Sequence, residues 1–428
     1  VGLMYPIKDH YLKLEDFALG SLDEFLHELN YDTAMGWSLD NRLNQWGSGQ
    51  AGNFNYGREM LEKFTVGRFD MYAPEGQDAK PGALPNYNEE DVASSAKLLS
   101  GFYSWFEAYG PQPGYKNWNV DPNTGLGYEG MNERFSVSRA YGSDISIFAT
   151  RPESRQFRVT ASSGDAGHSA TADQYMDLLL YTHPATARRI AYSIFGRFAY
   201  PHPPEALVDD LAQTVLASNY DMKAILRRVL NSSAMFTEET TDGCIKSPLE
   251  HLAYVLRTLQ LPMNSMYFFA HMNPMMVALG MPMFEPATVF GFHMCGDPLE
   301  PGKANHGETW LSAQMLLNRG RTLFSILKTA QSSASLLTYT YTGSYSEPGE
   351  AVSLRTTLFG TWGNYTAAQV VDHMTAKFNL SVSAQERTLL INYLSQGDDT
   401  WNPGNAARVE EKLRGLSFIL GMHPKNFY

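Results

Sequence analysis

The chain has 428 residues, a formal net charge of −12 and a pI near 5.4, with 43% hydrophobic and 18% charged residues. This composition is typical of a globular protein and excludes a disordered or fibrous one. Because the chain is acidic and has no run of lysine or arginine, nucleic acid and anionic membrane surfaces are excluded as expected partners.

Two further features of the sequence bear on the compartment. No segment offers about 20 uninterrupted apolar residues, so we expect no membrane span. The first residue is Val1 rather than methionine, which we interpret as proteolytic processing or a missing start. The two cysteines, Cys244 and Cys295, would form a disulfide in an exported protein or remain two buried thiols.

Most segments along the chain show helical periodicity, and capping boxes mark several helix starts. In such a box, the cap side chain and the side chain three residues later each accept a hydrogen bond from a backbone N–H that the helix leaves unpaired. The predicted pairs are Ser21 with Glu24, Thr171 with Gln174, Ser247 with Glu250, and Ser383 with Glu386. Further helices are predicted from Asn88 through Phe106, and from Pro184, Pro204, Asp221, Trp310, Thr366 and Asn405.

About a dozen predicted helices indicate an all-α fold, with at most a short β-hairpin in "SLLTYTYTGSY". Stretches rich in glycine and proline predict long ordered loops at residues 68–87, 110–130 and 296–307. Loops of this length often bind or cover something. We expect one large α-helical domain over residues 1–428, with any seam near residues 162–169.

The segment "GNFNYGREMLEKFTVG" carries an unusual density of polar side chains. Arg58 and Glu62, like Glu59 and Lys63, are four residues apart, which favours ion pairs on a solvated helix face. Two interpretations remain open. The first is a structural polar network that fixes two helices, formed by Asp40, Asn41, Asn53, Asn55, Arg58 and Glu59. The second is a catalytic site, with candidates Asp40, Asn53, Arg58, Glu59 and Glu62.

Several segments resemble a family of large, mostly exported proteins known as domain of unknown function 1800. The segments are "FALGSLDEFLHELNYDTAMGWSLDNRLNQ", "NFNYGREMLEKFTVG", "NYNEEDVASSAKLLSGF" and later ones up to "WLSAQMLLNRG". The resemblance covers about Asp9 to Tyr428. It implies an exported location (periplasmic, cell surface or extracellular) and lends no established chemistry.

The chain departs from the family pattern in three places. Phe54 replaces the glutamate of an Asn-Glu-Asn motif, and Phe292 replaces the tryptophan of a Gly-Trp pair. The N-terminal helices of the family have no counterpart here. We therefore expect a cleaved N-terminal fragment of the protein itself, or another protein partner, to cover part of the core.

Two segments offer metal ligands. "NVDPNTGLGYE" places Asn119, Asp121, Asn123 and Glu129 as oxygen ligands for calcium. "FHMCGD" together with "ANHGE" offers His293, Cys295, Asp297 and His306 to a transition metal. Solvated loops and ordinary histidines are the simpler explanation in both cases, and no other cofactor is predicted.

Catalytic motifs are missing from the sequence: there is no Gly-x-Ser-x-Gly elbow and no phosphate loop. The leading hypothesis is therefore an exported, non-enzymatic scaffold or assembly subunit that contacts partner proteins through its long loops. One alternative is a hydrolase acting on an extracellular polymer with its site around Asp40, Asn53, Arg58 and Glu59. The other is a calcium- or transition-metal-binding module.

Overall fold

A computed structural model describes residues 4–46, 51–69, 71–72, 85–107, 130–135, 141–158, 164–237, 240, 243–261, 273–282, 285, 291–292, 294–295, 307–329, 353–395 and 401–428. These residues divide into two compact units, with Thr237 the last described residue of the first unit and Thr240 the first of the second. Residues 164–169 lie inside the first unit.

The first unit consists mainly of helices. They are α1 (Met4–Phe17), α2 (Leu22–Leu29), α3 (Thr33–Ser38), α4 (Asn55–Glu59), α5 (Glu89–Leu98), α6 (Gly164–Asp177), α7 (Pro184–Phe198), α8 (Glu205–Ala217) and α9 (Met222–Leu230). Helix α4 continues as a π-helix over Met60–Phe64, and α6 continues as a π-helix over Leu178–Thr182. Their apolar faces form one core around buried Tyr56, Tyr175 and Tyr220.

Two short antiparallel strand pairs accompany these helices. β1 (Phe102–Glu107) pairs with β2 (Gly130–Phe135), with Phe102 opposite Phe135. β3 (Ile145–Ile147) pairs with β4 (Arg155–Phe157), with Ile145 opposite Phe157. The sequence predicted neither pair, and the hairpin that it did predict, at residues 335–345, lies outside the described residues.

The second unit contains α10 (Pro248–Thr258), α11 (Asn273–Ala278), α12 (Ala313–Thr329), α13 (Leu354–Phe359), α14 (Ala367–Lys377), α15 (Ala384–Ser395) and α16 (Ala406–Gly421). Its larger apolar cluster packs α12 to α16 around buried Met374, Phe378 and Leu416. The predicted all-α fold is thus confirmed. In the described part of the chain, no helix is long and apolar enough to cross a bilayer.

Most of the predicted helix starts are confirmed. The Ser247–Glu250 and Ser383–Glu386 pairs form both reciprocal hydrogen bonds, and the Ser21 side chain accepts from the Glu24 N–H. Thr171 is not a cap, because α6 already begins at Gly164. Unpredicted boxes join Asn88 to Asp91 and Thr366 to Gln369.

The helix predicted from Asn88 through Phe106 is wrong in its second half. It ends at Leu98, and Gly101 then adopts a φ of +97°, a left-handed conformation that glycine tolerates without a steric penalty. The run "FYSWFE" that follows is rich in aromatic residues, which favour strands, and forms β1.

A hydrogen-bonded bridge fixes the start of α2. The N–H of Leu22 donates to the Tyr220 carbonyl oxygen at 3.0 Å, and the N–H of Met222 donates to the Gly20 carbonyl oxygen at 2.9 Å. Ser21 and Asp221, the caps of α2 and α9, therefore face each other across an isolated β-bridge.

Candidate functional site: the polar junction of α4 and α5

The hydrogen bonds of the polar cluster centre on Asn44, which is not one of the predicted site residues and whose side chain is fully buried. Its Nδ2 donates to Asn41 Oδ1 at 3.2 Å and to the Ala96 carbonyl oxygen at 2.7 Å. Its Oδ1 accepts from Trp46 Nε1 at 3.0 Å and from the Asn53 N–H at 3.1 Å. An amide has two N–H groups and two lone pairs, so the hydrogen-bonding capacity of Asn44 is fully used within the protein.

The side chain of Asn53 bonds the backbone at the start of α4. Asn53 Oδ1 accepts from the N–H of Asn55 at 2.9 Å, at the first residue of α4. Asp40 has a φ of +57° and precedes a 3-10 helix over Asn41–Leu43. Its Oδ1 lies 3.5 Å from Arg42 Nη2, so its described contact is with that neighbour and not with Arg58.

Arg58 joins α4 to α5. Its two terminal nitrogens donate to the two carboxylate oxygens of Glu89 at 2.9 and 2.7 Å. These hydrogen bonds raise the pKa of Arg58 and lower that of Glu89. The Glu89 side chain is 77% exposed, so the pair adds about 0.2–1 kcal/mol to stability.

Arg58 and Lys63 make their described hydrogen bonds to residues other than the predicted partners Glu62 and Glu59. Lys63 Nζ bonds the adjacent Glu62 Oε1 at 2.8 Å, and Tyr87 donates to Glu62 Oε2 at 2.8 Å. The reason is the π-helix that begins at Met60, because its wider turn removes the stacking of positions four residues apart.

Glu59 is the exception within the cluster. Glu59 is buried, with 7% exposure, and its carboxylate makes no hydrogen bond in the described part of the chain. Burial raises the pKa of Glu59, a shift that Lys63 and Arg58 partly oppose. It is the one acid of the predicted set with this environment.

The backbones of α4 and α5 touch at the junction. A Cβ on Gly57 would lie 2.7 Å from the Ala96 nitrogen, so only glycine fits at that crossing. Ser95 Oγ donates to the Gly57 carbonyl oxygen at 3.1 Å, and Tyr175 donates to Ser95 Oγ at 2.8 Å. The arrangement therefore fixes α4, α5 and α6 against one another.

A cleft of about 130 Å³ lies elsewhere in the first unit. Its described lining is Val66, Phe69, Met71, Tyr72, Asn86, Pro184, Ala185, Arg188, Arg189 and Val208. Of the cleft's charged residues, Arg188 pairs with Glu205 at 2.6 Å and with Asp209 at 2.8 Å. Ligand pockets usually measure about 300–1,000 Å³, and none of the predicted cluster residues lines this cleft.

The remaining predicted sites are only partly described. Cys244 and Cys295 form a disulfide, with Cα atoms 5.6 Å apart. Cys295 is therefore not available as a thiolate ligand, and its proposed co-ligands His293, Asp297 and His306 lie outside the described residues. The calcium candidates Asn119, Asp121, Asn123 and Glu129 also lie outside them.

Comparison with known proteins identifies the family to which the chain belongs. Residues 4–422 match the family model described as protein of unknown function (DUF1800). The chain belongs to this family. The resemblance inferred from the sequence is thereby confirmed for DUF1800 along nearly the whole chain. Searches of curated proteins and of solved structures found no match.

Two features of the first unit escaped the sequence analysis. One is α1, whose apolar residues Ile7, Tyr11 and Leu14 recur at helical spacing. The other is a cluster of acidic residues and a histidine on α2 and α6, whose members are four residues apart within each helix. Both spacings are present in the sequence, but neither reveals what the helix faces.

Proposed function

We propose that this DUF1800 protein is an exported, non-enzymatic scaffold or subunit of a cell-surface or extracellular assembly. The observation that carries the proposal is the polar junction of α4 and α5. Its amide groups are bonded to one another and to the backbone, and its arginine is paired with Glu89. Polar groups that are paired in this way hold the helices together, and few of their hydrogen-bonding atoms remain for a substrate.

The disulfide supports the exported location. Disulfides persist in oxidising compartments and are rare in proteins of the reducing cytosol. Cys244 and Cys295 account for both cysteines of the chain, so no thiol remains for catalysis or metal binding.

Helix α1 supports a role in binding other proteins. Ile7, Tyr11 and Leu14 are 48%, 46% and 40% exposed and lie on one face of the helix. The inner side of α1 is fixed instead by Lys13, whose Nζ lies 3.2 Å from buried Asp32. An apolar stripe on an otherwise anchored helix is typical of a surface that a partner covers.

The partner surface would thus comprise the α1 stripe, defined as Ile7, Tyr11 and Leu14. The segments 68–87, 110–130 and 296–307, which the sequence predicts as long loops, lie largely outside the described residues. Stable contacts of this kind bury more than about 1,000 Å².

The test is the composition of the native particle with and without the α1 stripe. The double variant Ile7→Lys/Leu14→Lys is compared with Leu389→Lys, which alters an exposed leucine on α15 in the second unit. We expect the wild type and Leu389→Lys to co-purify with a partner in fixed stoichiometry, and the double variant to be folded but alone. A native wild-type protein without any partner would contradict the proposal.

A further inference from the structure

A cluster of five polar side chains joins α2 to the C-terminal end of α6. Its members are Asp23 and His27 on α2, Asp173 and Asp177 on α6, and Tyr181 on the π-helix that follows. None of these residues belongs to the polar junction of α4 and α5. Asp23 and His27, like Asp173 and Asp177, are four residues apart, so each pair lies on one helix face.

The two nitrogens of the His27 ring have different neighbours. Nδ1 lies within hydrogen-bonding distance of Asp173 Oδ1, at 3.3 Å. Nε2 lies 3.4 Å from Asp23 Oδ1 and 3.6 Å from Asp177 Oδ1. With the proton on Nδ1, the lone pair of Nε2 points among carboxylate oxygens, an arrangement that a cation would stabilise.

The two oxygens of the Asp23 carboxylate also have different neighbours. Its Oδ2 accepts a hydrogen bond from the Tyr181 hydroxyl at 2.6 Å. Its Oδ1 is buried and has no hydrogen-bond partner in the described part of the chain. The Tyr181 ring is itself held edge-on against Tyr220, with ring centroids 5.4 Å apart. One oxygen is thus oriented by the Tyr181 hydroxyl, and the other faces His27 Nε2 at 3.4 Å.

We propose that Asp23 Oδ1, His27 Nε2 and Asp177 Oδ1 bind a divalent first-row transition ion, with Zn²⁺ the best fit. One ligand atom from each of these three residues lies within 4.8 Å of the other two. Zinc bonds of 2.0–2.2 Å in a tetrahedron place ligand atoms about 3.3–3.6 Å apart. The two distances from His27 Nε2 fall in that range.

The surrounding hydrogen bonds match those of known zinc sites. A ligating histidine almost always donates its second N–H to a carboxylate or carbonyl, which fixes the tautomer, and Asp173 takes that place here. Tyr181 likewise holds the Asp23 carboxylate. The imidazole ligand favours a transition ion over calcium, which prefers oxygen ligands.

Three protein ligands leave a fourth position for water. The Asp177 side chain is 57% exposed, so the site opens to solvent on that side. The ion would connect α2 to α6, which the contact between His27 and Asp173 already joins.

The experiment uses the whole chain after treatment with EDTA, titrated with ZnCl₂ and, in parallel, with CaCl₂ by isothermal calorimetry. We expect one Zn²⁺ to bind per chain, with a rise in Tm, and calcium not to compete. Asp177→Asn should lose at least about 10-fold in Zn²⁺ affinity, and Tyr181→Phe about 10-fold or more.

The matched control is Asp210→Asn, which removes the same charge from an exposed aspartate that pairs with Arg228. It should bind Zn²⁺ like the wild type. No saturable Zn²⁺ binding, or equal affinity in Asp177→Asn and the wild type, would overturn the proposal. An equal loss in Asp210→Asn would also overturn it, because the effect would then be one of net charge.

Discussion

At the scale of single residues, the polar junction depends on one fully buried amide. Asn44 satisfies groups from the loop that precedes α4 and from the end of α5, and each of its four hydrogen bonds is made within the protein. Removing such a group leaves buried donors and acceptors unpaired, at about 1–3 kcal/mol each. Glu59, on α4, differs from Asn44, because its burial raises the pKa of its carboxyl group and so penalises the charged form.

Glu59→Gln distinguishes the structural from the catalytic interpretation. The folded protein raises the pKa of Glu59, so the unfolded chain binds fewer protons and stability falls as pH rises through that range. A neutral glutamine escapes this penalty. We expect Glu59→Gln to raise Tm at pH 7, with the gain shrinking in acid, as measured by differential scanning calorimetry.

Glu90→Gln is the control, because Glu90 is an exposed residue of α5 that carries the same charge. It should leave Tm nearly unchanged. Loss of an enzymatic activity in Glu59→Gln, with folding intact, would instead support the hydrolase hypothesis.

At the scale of elements, short-range signals were predictable from the sequence and long-range partners were not. The caps at Ser21, Ser247 and Ser383 involve residues three positions apart, so their chemistry is visible in the sequence. The partner of Arg58 is 31 residues away, on another helix, and the π-helix after α4 changes which side chains meet. No rule based on helical periodicity predicts where a π-helix follows an α-helix.

The same distinction explains the missed cluster on α2 and α6. The spacing of Asp23 to His27, and of Asp173 to Asp177, is plain in the sequence. Their proximity depends on the packing of α2 against α6. His27 and Asp173, which meet there, are 146 residues apart in the sequence. The all-α class was predictable from the repeated apolar stripes of the helices. Strand β1 was missed because Gly101 ends α5 while apolar residues continue on both sides of it, so the sequence reads as one helix.

The disulfide is the element-level feature with the largest expected effect on stability. It joins residues separated by 51 positions, and a crosslink across a loop of this length stabilises by about 4 kcal/mol in the chain-entropy model. We expect Cys244→Ala/Cys295→Ala to lower the free energy of unfolding of the second unit by about that amount. Urea unfolding followed by circular dichroism measures it.

Reduced wild type is the control for this prediction and should unfold at the same urea concentration as the double variant. A midpoint unaffected by reduction and by the substitutions would show that the crosslink does not limit the unfolded ensemble.

At the scale of the whole molecule, buried histidines couple stability to pH. His251 on α10 is 3% exposed, stacks on Phe427 at 4.7 Å, and contacts the Gly421 carbonyl oxygen through Nε2 at 2.8 Å. Burial lowers the pKa of His251 to about 4, from an ordinary value of 6.5. The unfolded chain therefore takes up this proton first as the medium becomes acidic.

Because the folded pKa is depressed, the stability contribution of neutral His251 is complete above pH 6.5 and is lost as pH falls toward 4. The difference corresponds to about 3 kcal/mol over that window. We expect His251→Gln to flatten the fall in unfolding free energy between pH 6.5 and 4, whatever its effect on stability at pH 7. Parallel slopes for variant and wild type would contradict this assignment.

The bridge between Ser21 and Asp221 has a consequence for biosynthesis. The first turn of α2 is held by the Tyr220 carbonyl, which the ribosome adds about 200 residues later. At about 5–20 residues per second, the nascent N-terminal segment waits some tens of seconds for that partner. Until Tyr220 has been added, the first turn of α2, the helix that carries Asp23 and His27, lacks this hydrogen bond and cannot be completed.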